Sequence, residues 1–243
     1  MSDTKKLITV CLSYYNQPAV MVEQVRWWLE YDDSVKRRMS FFLIDDCSRV
    51  GALDVLTEAG LGREQLDEID LTIFRVAEDK FCNIAGVRNL GATECASEYM
   101  VILDMDTFIC NESAQQMISL ADKHSGGSRA FTFNRRVTGN PGHKKHGRPH
   151  PAVCLVRVAD YWAVGGCDED FVGHYGHTDP TFWWRAQGIL KKHECGNIFL
   201  DYKDEGECEM VRDTNKNRKL FEKKKASGDW SSEFLRFSYE RVG

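Results

Sequence analysis

Apolar residues in this chain fall into short unbroken runs separated by longer stretches in which they recur every three or four positions. Residues 7–12 form an apolar, β-branched run that ends in Ser13-Tyr14-Tyr15-Asn16-Gln17-Pro18. Pro18 suits the first turn of a helix, and Val22, Val25, Trp28 and Leu29 follow at helical spacing. Residues 41–44 are a second buried strand, stopping at Asp45-Asp46-Cys47-Ser48, and residues 71–76 are a third. A helix is predicted from about 83 to 96, then a strand over 99–103, a helix over 113–124, and strands over 129–137 and 152–158. Strands alternating with helices at this pitch predict right-handed βαβ units and a mostly parallel sheet. The tail from Asn215, rich in Lys, Glu and Trp, reads as one or two amphipathic helices.

The fourth strand run, residues 99–103, is the most informative. It is continuously apolar, as a strand buried on both faces should be, and it ends in two carboxylates one residue apart, Asp104 and Asp106. Aspartate is a poor strand residue, so the pair marks where the chain leaves the sheet, which in an open α/β sheet is the edge where ligands bind. Two hard oxygen donors at this spacing suit Mg²⁺ or Mn²⁺ and, through the ion, the phosphates of a nucleotide. The competing reading is a solvated acidic turn.

Three other stretches carry chemistry. The helix over 83–96 contains Gly86 and Gly91, each costing about 1 kcal/mol relative to alanine, which predicts close backbone packing, beneath a ligand in one reading. It also carries Arg88, whose simplest reading is a solvated cation. Residues 138–150 are dense in glycine and base, with fixed cations Lys144, Lys145 and Arg148 and titratable His143, His146 and His150, and no apolar anchor; this predicts a mobile loop able to close over a diphosphate. Residues 161–185 interleave glycines, acids and aromatics, as the lining of a sugar site does, with Asp179 before Pro180 as a plausible helix N-cap.

Composition narrows the classes. The 243 residues suit a single domain of ordinary soluble character, and a net charge of −5 supplies no general attraction to nucleic acid. Nine cysteines, an odd number scattered without a C-x-x-C, predict reduced thiols and a cytoplasmic location rather than a disulfide framework or zinc site. No stretch approaches the roughly 18 apolar residues of a membrane span, and no signal peptide or anchor is expected.

Taken together, Ser13-Tyr14-Tyr15-Asn16, Leu43-Ile44-Asp45-Asp46-Cys47-Ser48, Gly86-Val87-Arg88-Asn89-Leu90-Gly91, Asp104-Met105-Asp106 and Gly165-Gly166-Cys167-Asp168-Glu169-Asp170-Phe171 resemble, in order, the motifs of GT-A fold glycosyltransferases, especially family 2. The resemblance covers about residues 7–202. It implies an α/β fold with one GT-A (Rossmann-like) domain: a nucleotide-sugar-binding half over about 1–107, an acceptor half over about 108–202 and a helical tail over about 203–243. It further implies that Ser13, Tyr15 and Asp46 hold the donor's base, that Arg88 stands near the diphosphate, that Asp106 binds the metal with Asp104 on the ribose or a metal-bound water, and that Asp179 is the general base of an inverting transfer. Asp168, Glu169 and Asp170 stand next in line as base. The implied partners are a nucleotide sugar, UDP-linked by preference, and a glycan or other hydroxyl acceptor.

Departures accompany the likeness. Thr178 replaces the glutamate usual before the base, and no histidine follows the last strand, so Asp201, Asp204, a loop histidine such as His150, or water is left as third metal ligand. The Gly-His-Thr-Asp and Trp-Trp-Arg text also resembles galactosyl- and N-acetylgalactosaminyl-transferases, some of which retain configuration. Two rivals are a nucleotidyltransferase, which would want a Gly-rich basic loop after the first strand that is missing here, and a catalytically silent sugar- or nucleotide-binding module.

Overall fold

The computed structural model describes residues 6–203 and 212–243. In chain order the elements are β1 (Ile8–Tyr14), α1 (Pro18–Leu29), α2 (Asp33–Lys36), β2 (Met39–Asp45), α3 (Ala52–Glu58), α4 (Arg63–Glu68), β3 (Leu71–Val76), α5 (Ile84–Glu94), β4 (Tyr99–Leu103), β5 (Thr107–Phe108), α6 (Asn111–Lys123), β6 (Arg129–Val137), β7 (Cys154–Arg157), α7 (Val158–Ala163), α8 (Thr178–Ala186), β8 (Lys191–Tyr202), α9 (Asn215–Ser227) and β9 (Tyr239–Arg241). They build one sheet in the order β5-β8-β6-β7-β4-β1-β2-β3-β9.

The expected parallel arrangement holds for β4, β1, β2 and β3, while β7 and β9 flank that block antiparallel. The sheet is therefore mixed, and it runs without a break through both halves. Alternate residues of the central strands feed two cores. Val10, Leu12, Val101 and Leu103 pack with Val25 and Trp28 of α1 and Met117 of α6, whereas Cys11, Met100 and Ile102 pack with Ala85 and Ala92 of α5 and Phe182 of α8. Helices on both faces explain why these strands are apolar throughout.

Topology then creates the site. The chain proceeds from β1 outward through β2 to β3 and returns to lay β4 on the other side of β1, with Leu12 opposite Leu103. The crevice beyond the ends of β1 and β4 is thus the switch point at which an open sheet binds ligands, and it receives Ser13 and Tyr15 from one strand and Asp104 and Asp106 from the other.

Two expectations need correction. The tail is not helical throughout: its described residues hold one helix, α9, and β9 extends the sheet by pairing with β3. The strand β8 went unforeseen because its first half, Lys191-Lys192-His193-Glu194, is exposed and polar, held in the sheet by parallel backbone pairing with β6. As expected, Gly86 and Gly91 are close-packed, and their neighbours are side chains of the chain itself. A Cβ at Gly91 would meet Cys11 Sγ at 3.0 Å and Ile44 Cδ1 at 3.2 Å, and one at Gly86 would meet Asn83 Oδ1 at 2.2 Å and the Phe237 ring at 2.5 Å.

Candidate active site

A cavity of about 410 Å³ opens at the switch point, and Ser13, Tyr15, Asp46, Arg88, Asp104, Asp106 and Asp179 all line it. The turn after β2 divides its acid pair. Asp45 is fully buried and structural, accepting from Ser48 N at 2.8 Å and Ala52 N at 3.0 Å and pairing with Arg75 at 3.1 Å. Asp46 faces the cavity instead; Asn83 N donates to its Oδ2 at 3.2 Å, and its Oδ1 has no partner among the described residues. Burial pushes the Asp46 carboxyl up to about 6. The Tyr15 hydroxyl, at the neighbouring strand end, donates to Asp79 at 3.2 Å.

On the far side of the cavity, Asp104, Asp106 and His150 form a set whose ligand atoms all lie within 4.8 Å of one another, the only such cluster among the described residues. His150 Nε2 is 3.5 Å from Asp106 Oδ1, and its Nδ1 is 4.0 Å from Asp104 Oδ2. Burial pushes Asp104 up; burial acts the same way on Asp106, but the His150 hydrogen bond and charge outweigh it and leave Asp106 below the usual carboxylate range. For His150, burial opposes the charged form, yet the two carboxylates raise its pKa. Two hard oxygen donors and one imidazole suit Mn²⁺ or Mg²⁺. Of the alternatives for a third ligand, Asp201 is committed elsewhere, bound by both Nε and Nη2 of Arg136 at 2.7 and 2.8 Å. Asp204 lies outside the described residues.

Arg88 is no solvated cation. It is 5% exposed, donating through Nη1 to Asp179 Oδ1 at 2.5 Å and through Nη2 to Asp104 Oδ1 at 3.1 Å. It thereby joins Asp104, of the carboxylate and histidine cluster, to Asp179. Asp179 is the second residue of α8 rather than its N-cap, which is the left-handed His177. The preceding acids are not available to a substrate: Asp168 is 2% exposed and accepts from Asp170 N and Ser231 N, while Glu169 is 4% exposed and accepts from Asn89 Nδ2, Leu235 N and Arg236 N. Asp170 pairs with Lys224 and Arg236. Asn89, next to Arg88, completes this knot, accepting from Tyr161 Oη and Cys167 N.

Sequence reasoning missed Arg135, Tyr202 and Arg212, which also line the cavity. Each is a common residue outside any short pattern, whereas Tyr175 of the stretch over 161–185 and Lys145 of the loop over 138–150, which line the same cavity, had a local signal in their surroundings. That loop folds as successive turns held by Arg135 N to Arg148 O at 3.0 Å and Gly147 N to Arg135 O at 2.9 Å, with the Lys145 amine on the Tyr202 hydroxyl.

No protein-family model matches the sequence, and no curated protein matches it. Solved structures do. Residues 1–349 of S. aureus TarS in complex with UDP-GlcNAc superpose with a TM-score of 0.65 at 15% identity, covering 83% of this chain and 60% of that one. The mannosyltransferase PcManGT from Pyrobaculum calidifontis, in complex with GDP-Man and Mn²⁺, gives 0.63 at 14% identity, covering 83% and 59%. This is the GT-A glycosyltransferase fold. The catalytic domain of Drosophila beta1,4-galactosyltransferase 7 in complex with xylobiose has it too, at a TM-score of 0.57 and 12% identity, over 95% of this chain and 83% of that one. The chain thus spans about three fifths of the first two structures it matches. Among the described residues, no helix of this GT-A chain is long and apolar enough to cross a membrane, and the eight described cysteines are all free.

Proposed function

We propose that this chain is a metal-dependent glycosyltransferase that moves a sugar from a nucleotide sugar to an acceptor hydroxyl with inversion, using Asp179 as general base. One observation carries the reading: a hard-ion ligand set, Asp104, Asp106 and His150, stands in the same cavity as a separate carboxylate, Asp179, with Arg88 between them. Displacement at a sugar carbon needs the base and the leaving-group stabiliser on opposite sides of the reacting centre, and two acidic groups held apart by a buried cation supply that division. Asp106, Asp104 and His150 would hold Mn²⁺ or Mg²⁺, which when bound supplies charge stabilisation to a departing diphosphate. Arg135, Lys145 and Arg212 add positive charge around the same cavity. Tyr15 offers a ring, Ser13 a hydroxyl and Asp46 a buried acceptor to the base of the donor. Arg88 engages Oδ1 of Asp179, so the second oxygen is the one offered to the acceptor hydroxyl.

TarS was solved with UDP-GlcNAc and PcManGT with GDP-Man, and a nucleotide sugar, UDP-linked by preference, is the donor we assign. Free cysteines fit a reducing, cytoplasmic setting. The test is a thermal-shift panel of UDP-, GDP-, dTDP- and CMP-sugars with and without Mn²⁺. A ligand at 100 times its dissociation constant stabilises by about 2.7 kcal/mol. Asp106→Ala is expected to abolish the metal-dependent shift, with Asp104→Ala weaker in effect. Asp179→Asn is expected to keep it while sugar transfer falls by at least about 100-fold. An Asp106→Ala protein that binds UDP with Mn²⁺ as tightly as the parent overturns the metal assignment.

A further inference from the structure

The C-terminal segment carries none of the motifs above, yet it grips the part of the chain that delivers Asp179. Helix α9 turns Asn217, Phe221 and Lys224 to one side, the spacing of a single helical face. Asn217 is 1% exposed, and its Nδ2 lies 3.0 Å from Phe171 O, 2.7 Å from His174 O and 2.9 Å from Gly176 O. A side-chain amide has only two hydrogens, so three carbonyls share them. Beside it the Phe221 ring lies 5.6 Å from that of His177, and Thr214 closes over Gly176, where a Cβ would stand 2.8 Å from Thr214 Cγ2.

The gripped loop does not hold itself. Gly173, Gly176 and His177 are all left-handed, with φ of 91°, 88° and 63°, and the three carbonyls are turned toward α9 instead of into a helix or sheet. Glycine takes this conformation freely, but His177 does not, and a left-handed residue other than glycine persists only where its surroundings over-determine it. The loop contributes Tyr175 and Gly176 to the cavity and runs straight into α8, whose second residue is Asp179. Beyond α9 the chain is bonded to Asp168 and Glu169 and ends as β9 on the nucleotide half's sheet, so one segment touches both halves.

We propose that Asn217 is a positioning residue: by gathering the carbonyls of Phe171, His174 and Gly176 it sets the loop that aims Asp179 and Tyr175 into the cavity. Its catalytic consequence rests on the glycosyltransferase reading; its structural consequence does not. The experiment uses the full chain with Asn217→Leu, which keeps volume and helix propensity, Asn217→Asp, which keeps shape but loses the donor, and Asn217→Ser, which keeps one donor. Peptide-level hydrogen exchange, UDP affinity with Mn²⁺, and kcat and KM for the nucleotide sugar that most raises the melting temperature are measured side by side. Exchange over 171–179 is expected to rise at least about tenfold in the Leu and Asp variants, with the strands unchanged. UDP affinity stays within about twofold while kcat falls by about 10- to 100-fold, the scale of a misplaced reacting group. Asn217→Ser falls between. Exchange over 171–179 that matches the parent overturns the proposal, as does a kcat that falls only in step with UDP affinity and melting temperature. A parent protein that turns over no nucleotide sugar defeats the glycosyltransferase reading alone, and the exchange measurement still decides what Asn217 does.

Discussion

Asp46 is a carboxylate whose place at the cavity costs stability. It sits at the end of β2, 7% exposed, with Oδ1 lacking a partner among the described residues, and burial lifts its carboxyl to about 6. The unfolded chain holds this group near 3.9, so between about pH 4 and pH 6 the native state binds more protons than the unfolded one, and stability falls as pH rises through that window. Above it the cost is complete, on the order of 2–3 kcal/mol. Asp46→Asn is therefore expected to stabilise by roughly 2 kcal/mol near pH 7.5 and by little near pH 3.5, read from urea unfolding at both. The same variant should bind UDP more weakly, because a charge-assisted acceptor becomes a neutral one. Sequence placed Asp46 at a strand exit correctly; its burial depends on Asn83 at the start of α5, which no local pattern reveals.

Among the elements, α5 is the one whose composition and setting conflict most. Its interior glycines lower helix propensity, and replacing Gly91 by alanine in an isolated helix would gain about 1 kcal/mol. Here the new methyl would press on Cys11 Sγ and Cβ, at 3.0 and 3.1 Å, and on Ile44 Cδ1 at 3.2 Å, all side chains of the sheet interior. Overpacking of this kind costs about 1–3 kcal/mol. Gly91→Ala is expected to lower the melting temperature despite its helix propensity, and a rise would mean that α5 can lift from the sheet without penalty. This close seating is also what carries Arg88 to a depth where it reaches Asp104 and Asp179. Periodicity identified the helix; the spacing between α5 and the sheet, which decides the state of Arg88, is a property of their packing.

At the level of the molecule, the tail is a structural member. The Lys224 amine is 3.0 Å from Asp168 Oδ2 and 2.6 Å from Asp170 Oδ2, and the Asp168 side chain has no exposure to solvent. Burial works against charge on Lys224, but the two aspartates raise its pKa above the ordinary lysine value. Removing the cation leaves Asp168 desolvated beside two backbone N–H donors, and breaking a buried pair in this way costs about 3–5 kcal/mol. Lys224→Met keeps the stem and is expected to lower the unfolding free energy by about 3 kcal/mol in urea, with exchange rising along the tail and over 165–177 first. A loss under about 1 kcal/mol would show that the tail is docked by its other contacts.

What the sequence determined by itself is local. Strands and helices follow from periods of two and 3.6, the switch-point crevice from the alternation of βα units, and the acid pair from two carboxylates at a strand exit, because each of these is written in residues within one element of each other. Tertiary structure decided everything that needs partners far apart in the chain. His150 rather than Asp201 stands with Asp104 and Asp106, Arg88 is paired with an aspartate 91 residues away, the acids over 168–170 anchor the tail, and Asn217 holds the loop before Asp179. The physical reason is that a charged or amide side chain has no intrinsic preference among those roles. Which one it takes is set by the burial and the partners that the sheet order and the docking of α5, α8 and α9 bring to it.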